Sequence, residues 1–246
     1  MRKKICKFVP HIPLKKSNMK KFFILIAAAI IMGPVIAQNC EGFYPLNKGA
    51  VMEMQTFNQK DKLQGSSRQT ILDVESLPNG VALKVRSEQF DDKNKPIFDQ
   101  ELVMRCENNV FYMDMKKMLD PKTMSGFENM EVSVDAEDLE FPGIMQVGST
   151  LNDGNVVVGV SSSGMKIMNL EVRIFNRKVE AYESITTPAG TFDCFKISYD
   201  SEIKAGLKMT VKGVEWVAKN IGVVRSESYD KNGKLTGYTV MSALVK

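Results

Sequence analysis

The sequence predicts a mainly β protein: an antiparallel β domain of about ten strands with a short helical insert near 115–129. Three observations lead to this fold class. Apolar and polar residues alternate with a period of two over much of 51–113, and again from residue 168 onward. Turn-forming residues interrupt this alternation roughly every 12 to 15 residues. In the middle of the chain the period changes to three and four, which is typical of helix.

The first half of the chain is predicted to be a meander of strands joined by short turns. Asn79-Gly80 is the strongest turn signal, because this pair supplies the positive φ angles that a tight hairpin needs. Asp91–Lys95 and Glu107–Asn109 are further polar turns. Short turns between alternating segments favour antiparallel neighbours. The predicted strands are 51–57, 70–75, 81–86, 97–106 and 110–113.

The helical insert is predicted from apolar residues at helical spacing. Asp120-Pro121 is a good helix start, because Asp caps a helix and Pro suits its first position. Methionine is flexible and suits surfaces that accept varied apolar partners. These residues are candidates for a ligand-binding lid over an apolar groove, while a helix that plugs the barrel with ordinary core residues explains them more simply. The apolar residues concerned are Met115, Met118, Leu119, Met124 and Phe127.

The second half is again predicted to be strand. Alternation over Met168–Ile174 indicates a strand with one solvent-facing side. Phe195, Ile197 and Tyr199 share one face of the next strand. The alternation then changes phase across Lys212-Gly213, which predicts a β-bulge at that point.

One local pattern occurs three times: an aromatic residue, a charged turn with lysine, and an apolar residue. It covers Phe57–Leu63, Phe90–Ile97 and Tyr229–Leu235. A duplicated binding hairpin would explain it. Solvated hairpin tips explain it more simply, because charged turns are an ordinary way to connect strands.

Residues 1–37 match an N-terminal extension and a signal peptide, with Met19 as the expected start and cleavage after Ala37. Lys20-Lys21 precede the apolar run Phe22–Met32, and Gly33-Pro34 follows before small residues. The run is shorter than the roughly 20 residues of a membrane span. We therefore expect export to the periplasm or cell envelope of a Gram-negative-type bacterium, with no transmembrane segment in the mature chain.

Residues 38–246 are predicted to form a single β domain, because no low-complexity or Pro/Gly/Ser-rich linker divides them. The whole chain carries a net charge of +4, but the first 37 residues hold eight cations, no acid and the single histidine, His11. The mature chain would carry a net charge of −4 and no histidine. This excludes Ser-His-Asp chemistry and histidine-bound zinc, and makes nucleic acid a poor partner.

Three cysteines remain after cleavage, and exported proteins live where disulfides persist. Cys106 would end the fourth strand of the meander on the side where the first strand begins. Cys40 lies just before that first strand and can reach Cys106 without strain, so we predict a Cys40–Cys106 disulfide. Cys194 would then be a buried thiol. The rival pairing, Cys106–Cys194, would need the two halves of the sheet to place those strands side by side.

No cofactor and no metal are expected. Paired methionines could hold Cu(I), but methionines two apart on a strand usually form a core. The acidic stretch Glu131–Glu140 lacks the glycine and the spacing of a calcium loop. Lipidation of Cys40 is also disfavoured, because Gln38-Asn39 separates it from the small residue at the cleavage site.

Several stretches together resemble the TapB-like family of exported β-proteins of unknown function. The most specific is Ile185–Ile197, and the resemblance covers nearly all of 39–246. It implies a curved antiparallel sheet or partly closed barrel, similar to lipoprotein-carrier folds. It implies no activity and no catalytic residues. The other stretches are 39–40, 44–49, Cys106 with 110–115, 176–180, 214–216 and 222–227.

These observations leave three functions. The first is an envelope protein without enzymatic activity that holds a lipid, another apolar ligand or a segment of an envelope protein in a curved sheet. The second is a structural or surface-interaction module with a filled core. The third and least favoured is a hydrolase that works without histidine, for which no carboxylate pair is placed by the sequence.

Overall fold

The computed structural model describes residue 40, residues 42–118 and residues 130–246 of the chain. Within these residues, 13 strands form one sheet in which all pairings are antiparallel. The strands are β1 Val51–Asn58, β2 Leu63–Leu77, β3 Gly80–Asp91, β4 Pro96–Glu107, β5 Val110–Met113, β6 Glu131–Glu137, β7 Leu139–Pro142, β8 Gly154–Ser162, β9 Met165–Thr187, β10 Gly190–Ala205, β11 Leu207–Ala218, β12 Gly222–Tyr229 and β13 Leu235–Val245.

The sheet curls into a nearly closed barrel. Its order is β6-β8-β9-β10-β11-β12-β13-β1-β2-β3-β4-β5-β7, so β6 and β7 are the two edges. These edge strands are consecutive in the chain and separated by the single residue Asp138. One short segment can pair with both edges only if the sheet bends round on itself. The predicted curved sheet is therefore confirmed, and closure goes further than a partly closed barrel.

The helical insert is not seen in the described part of the chain. One 3₁₀ turn, Met115–Met118, follows β5. The rest of the insert, 119–129, lies outside the described residues, as does the signal peptide at 1–37, and both stay predictions. Among the described residues, no helix has the length and apolar character needed to cross a membrane.

One end of the barrel is closed by the segment that leads into β1. Phe43 packs against Phe141 and Phe195, with ring centroids 6.4 Å away in each case. Tyr44 stacks on Phe111 at 5.4 Å. All but Phe195 are buried. We call this the closed end, and the end that carries the β1–β2, β3–β4 and β12–β13 turns the open end.

The strand register separates an inner face from an outer face. On β3 and β4, Leu83 lies opposite Met104 and both are buried. On the other face of the same strands, Arg86 forms an ion pair with Asp99 at 2.6 Å, and both side chains are exposed. The alternation in the sequence therefore predicts these faces correctly, because neighbouring residues of a strand point to opposite sides.

The β-bulge predicted at Lys212-Gly213 is wrong. β11 keeps an unbroken register with β10 from Leu207 to Ala218, and shifts against β12 between Trp216 and Val217 instead. The phase change has another cause. Val217 is buried in the core, while Trp216 on the opposite face is covered by Lys196, whose ammonium lies 5.1 Å from the indole. Apolar residues therefore occupy both faces at this end of β11.

Candidate functional site

A pocket of about 400 Å³ lies on the inner face of β2, β3 and β4, next to the start of the 3₁₀ turn. This volume is within the usual range for small-molecule sites. Its described lining combines apolar side chains, amides, one hydroxyl and one carboxylate. The lining residues are Gln69, Ser87, Gln89, Ile97, Phe98, Gln100, Leu102, Val103, Met104, Met113 and Asp114.

Strand register aligns the polar groups in a row across the pocket. Gln69 of β2 lies opposite Ser87 of β3, and Ser87 lies opposite Gln100 of β4. Directly opposite residues share a face and lie about 5 Å apart at Cβ. The next row towards the open end pairs Gln89 with Phe98. The pocket therefore offers a polar row beside an apolar wall.

The pocket opens to solvent at the open end of the barrel. Gln89 is exposed and lies two residues before the end of β3. Ile97, the second residue of β4, lines the pocket and is also exposed. Val103 is exposed on the outer face, opposite Lys84, and lines the pocket from the side edge of β4. Met104 closes the inner side, where it is buried in the core. A ligand can thus enter without an opening of the closed end.

Asp114 is the one carboxylate among the described lining residues, which include no lysine and no arginine. Its Oδ1 accepts a hydrogen bond from the backbone N–H of Lys116 at 2.9 Å and so caps the 3₁₀ turn. Gln69 accepts a hydrogen bond from the hydroxyl of Tyr44. Burial raises the pKa of Tyr44, so this hydroxyl stays a donor at neutral pH. The site is suited to hydrogen bonding and apolar contact.

The residues predicted as a lid are only partly described. Met115 is buried in the core and does not appear in the described lining, whereas Met113 and Asp114 just before it line the pocket. The side chain of Met118 and all of Leu119, Met124 and Phe127 lie outside the described residues. Their role in ligand binding stays a prediction.

The cysteines are arranged as the meander argument predicts. Cys40 and Cys106 form a disulfide, with Cα atoms 6.0 Å apart. Cys194 is a buried thiol. Burial raises the pKa of Cys194 to about 12, so the thiol is a poor nucleophile. The disulfide ties the segment at the closed end to the end of β4.

The polar row of the pocket was missed in the sequence, although a signal existed. The alternation that places Leu83 and Val85 inward also places Ser87 and Gln89 inward. Polar residues at inward positions usually indicate a lined cavity, because a polar group buried without a partner is costly. Among the described residues, no group of three or more His, Cys, Asp or Glu could hold a metal ion.

Comparison with known proteins supports the fold. Similar structures include a candidate exported protein with a YmcC-like fold from Bacteroides fragilis, which is 26% identical with a TM-score of 0.67 and matches 83% of this chain and 99% of that one. A candidate lipoprotein from Parabacteroides distasonis is 27% identical with a TM-score of 0.69 and matches 84% of this chain and 100% of that one.

No curated protein sequence matches the chain. The model of the DUF3108-like family matches residues 47–241. This range includes every strand of the barrel except the last four residues of β13. The chain therefore belongs to the DUF3108-like family.

Proposed function

We propose that this protein is an exported envelope protein without enzymatic activity that holds an apolar ligand, or an apolar segment of a partner, in its curved sheet. The observation that carries the proposal is the pocket on the inner face of β2–β4, which combines a wall of apolar residues with a row of two amides and one hydroxyl. Leu102 and Phe98 provide apolar contact, and the row from Gln69 to Gln100 can orient a polar group.

The envelope location rests on the signal pattern at 19–37 and on the similar proteins from Bacteroides fragilis and Parabacteroides distasonis, which are a candidate exported protein and a candidate lipoprotein. The narrower assignment to the TapB-like proteins rests on the sequence stretches alone. Hydrolysis by paired carboxylates has no support in the pocket, where Asp114 is the one acid among the described lining residues.

A structural module with a filled core is the second candidate. It is favoured by the dense packing away from the pocket, where Val156, Val158 and Val160 of β8 are buried along with Met115. A filled core and a ligand pocket predict different behaviour in solution. A module of this kind would bind no apolar dye at β2–β4 and would carry no co-purified ligand.

The test is native mass spectrometry of the protein purified from its own envelope, combined with titration of an apolar fluorescent dye. Gln89→Trp places a bulky ring at the exposed mouth of the pocket. Because the ring occupies space that the dye would need, dye binding should weaken about tenfold or more. Glu75→Trp is the matched control, because Glu75 is exposed on the outer face of β2 opposite Ala82, and neither residue lines the pocket.

The control should bind dye like the unchanged protein. Equal dye binding by all three proteins, or a loss that is the same in both variants, would contradict the proposed pocket. Absence of both a bound ligand and dye binding would favour the filled-core module.

A further inference from the structure

The open end of the barrel carries the turns Asn58–Lys62, Asp91–Lys95 and Asp230–Lys234. They join the strands of the hairpins β1–β2, β3–β4 and β12–β13, which are neighbours in the sheet order β12-β13-β1-β2-β3-β4. The turns 163–164, between β8 and β9, and Gly206, between β10 and β11, lie at the same end, because every pairing is antiparallel. Five turns therefore border this end among the described residues.

The first three turns have the same local structure. Asn58, Asp91 and Asp230 each accept two backbone N–H bonds through one side-chain oxygen, from the residues two and four places later. This geometry fixes each tip and directs its lysines into solvent. The exposed lysines of these turns are Lys60, Lys62, Lys93, Lys95, Lys231 and Lys234.

The other two turns expose apolar side chains beside further lysines. Met165 and Ile167 flank Lys166, and Leu207 and Met209 flank Lys208. Leu207 is 87% exposed, Met165 73% and Met209 57%. We call Met165, Ile167, Leu207 and Met209 the apolar lip.

The exposure of the lip follows from strand length. β12 pairs with β11 only from Lys212 onward, so Leu207 and Met209 project beyond the neighbouring strand. They continue the apolar inner face, because Leu207 lies opposite Ala205, and Ala205 lies opposite Leu170. Met165 and Ile167 project in the same way, because β10 pairs with β9 only as far as Leu170. Large apolar side chains exposed at one end of a barrel usually indicate an interaction surface.

Charge decides which partner fits this end. The five turns with their flanking residues hold eight lysines, and one of them, Lys208, is paired with Glu202 at 2.5 Å. The other seven face Asp61, Asp91, Asp92 and Asp230, whereas residues 38–246 as a whole carry more acids than bases. Basic residues around a projecting apolar edge match a surface that is negatively charged outside and apolar inside. A lipid bilayer has both properties.

We propose that the open end of the barrel docks on a bilayer surface that contains anionic lipids, with the apolar lip in the interface and the lysines at the headgroups. The inference stands on the surface of the open end and does not depend on the pocket. Docking would bring the mouth of the barrel against the membrane.

Flotation with vesicles tests the proposal, using the exported protein. We expect binding to vesicles of phosphatidylcholine mixed with phosphatidylglycerol, about tenfold weaker binding to phosphatidylcholine alone, and weakening by added salt. Leu207→Ser with Met209→Ser should lower binding to the mixed vesicles about tenfold, because the apolar anchor is lost. Lys60→Gln with Lys93→Gln and Lys231→Gln should lower it by a similar factor.

The matched control is Ile144→Ser with Val147→Ser, which removes two exposed apolar residues from the loop after β7. This variant should bind like the unchanged protein, and circular dichroism should show every variant folded. The proposal is overturned if the unchanged protein binds no vesicles, if it binds neutral and anionic vesicles equally, or if the lip variant and the control lose the same amount.

Discussion

Arg177 of β9 donates a hydrogen bond from Nη1 to the backbone carbonyl of Glu140 in β7, at 2.9 Å. The same nitrogen donates to the carbonyl of Asn152 at 2.6 Å, and the guanidinium lies 4.8 Å from the ring centroid of Phe141. β7 is one edge of the sheet, and β9 lies two strands in from the other edge. Arg177 therefore links the two sides of the seam where the barrel closes.

Replacement of Arg177 by Met should destabilise the barrel strongly. Arg177 is 2% exposed, so its replacement removes a buried donor and leaves the carbonyls of Glu140 and Asn152 without it. We expect a loss of about 3 kcal/mol in the free energy of unfolding, the usual scale for hydrogen bonds to a buried charge. Urea denaturation followed by circular dichroism measures it.

Arg173→Met is the control for this prediction, because Arg173 lies on the same strand but binds Asp153 at the surface. An exposed ion pair of this kind contributes less than about 1 kcal/mol. Equal losses in the two variants would show that Arg177 is not a special link across the seam.

Removal of the disulfide should also destabilise the fold. Cys40 and Cys106 are 66 positions apart, and a closed loop of that length contributes about 4 kcal/mol on the chain-entropy model. We expect Cys40→Ser with Cys106→Ser to lose about this amount in urea denaturation. A change of less than about 1 kcal/mol would mean that the aromatic packing of Phe43 and Tyr44 holds the closed end without the bond.

The buried thiol gives a separate prediction. Cys194 is buried and its pKa is raised to about 12 by burial first, then by Asp193 and Glu183. An alkylating reagent should therefore leave the Cys194 peptide unmodified in the native protein and modify it after denaturation, as peptide mass mapping would show. Rapid modification of native protein would indicate that this part of β10 opens readily.

The sequence predicts the meander well and the closure of the barrel poorly. Alternation in β3 and β4 identifies the inner residues Leu83 and Val85, because each strand has one buried face and one wet face. The seam depends on Asp138, where one short segment changes from one sheet edge to the other. β6 and β7 both alternate polar and apolar residues. Alternation identifies the two faces of a strand but not its neighbours, so no local pattern indicates which edge each one joins.

The candidate site was predictable only in its location. The sequence points to the region after β5, and the pocket does reach Met113 and Asp114. The polar row from Gln69 to Gln100 comes from three strands that lie side by side. Its members are 31 positions apart in the chain, so only the pairing register brings them together.

The turn carboxylates should make stability fall in acid. Backbone N–H bonds, chiefly from Lys95 and from Lys234, lower the pKa of Asp91 and of Asp230 from the ordinary value of 3.8. Because the pKa is lower in the folded chain, the stabilisation is fully present above the unfolded-state pKa of 3.8. It is lost as the pH falls through the folded-state pKa. Asn58 performs the same task with a neutral amide.

Asp91→Asn with Asp230→Asn should therefore keep the turns folded and flatten the fall of the thermal midpoint below about pH 4. Asp91→Ala removes the acceptor and should lower the midpoint at every pH. A double Asn variant with the same acid profile as the unchanged protein would show that other carboxylates cause the acid loss.

Glu215 should have the opposite effect on pH dependence. It accepts a hydrogen bond from Tyr199 at 3.1 Å on the inner face of the barrel, with Arg177 nearby. Burial raises the pKa of Glu215 above its ordinary 4.5, and the bond from Tyr199 and the charge of Arg177 offset this only in part. The folded chain then binds this proton more readily than the unfolded chain. Its contribution to stability is present below the unfolded pKa and is lost as the pH rises through the folded one.

Glu215→Gln keeps the size of the side chain and an acceptor for Tyr199 but cannot titrate. The free energy of unfolding of the unchanged protein, measured relative to this variant in urea at a series of pH values, should therefore fall as the pH rises above 4.5. A difference that rises with pH would mean that attraction to Arg177 outweighs burial at this site. The Arg177→Met protein provides the decisive comparison, because without its cation the fall should begin at the same pH and continue to a higher one.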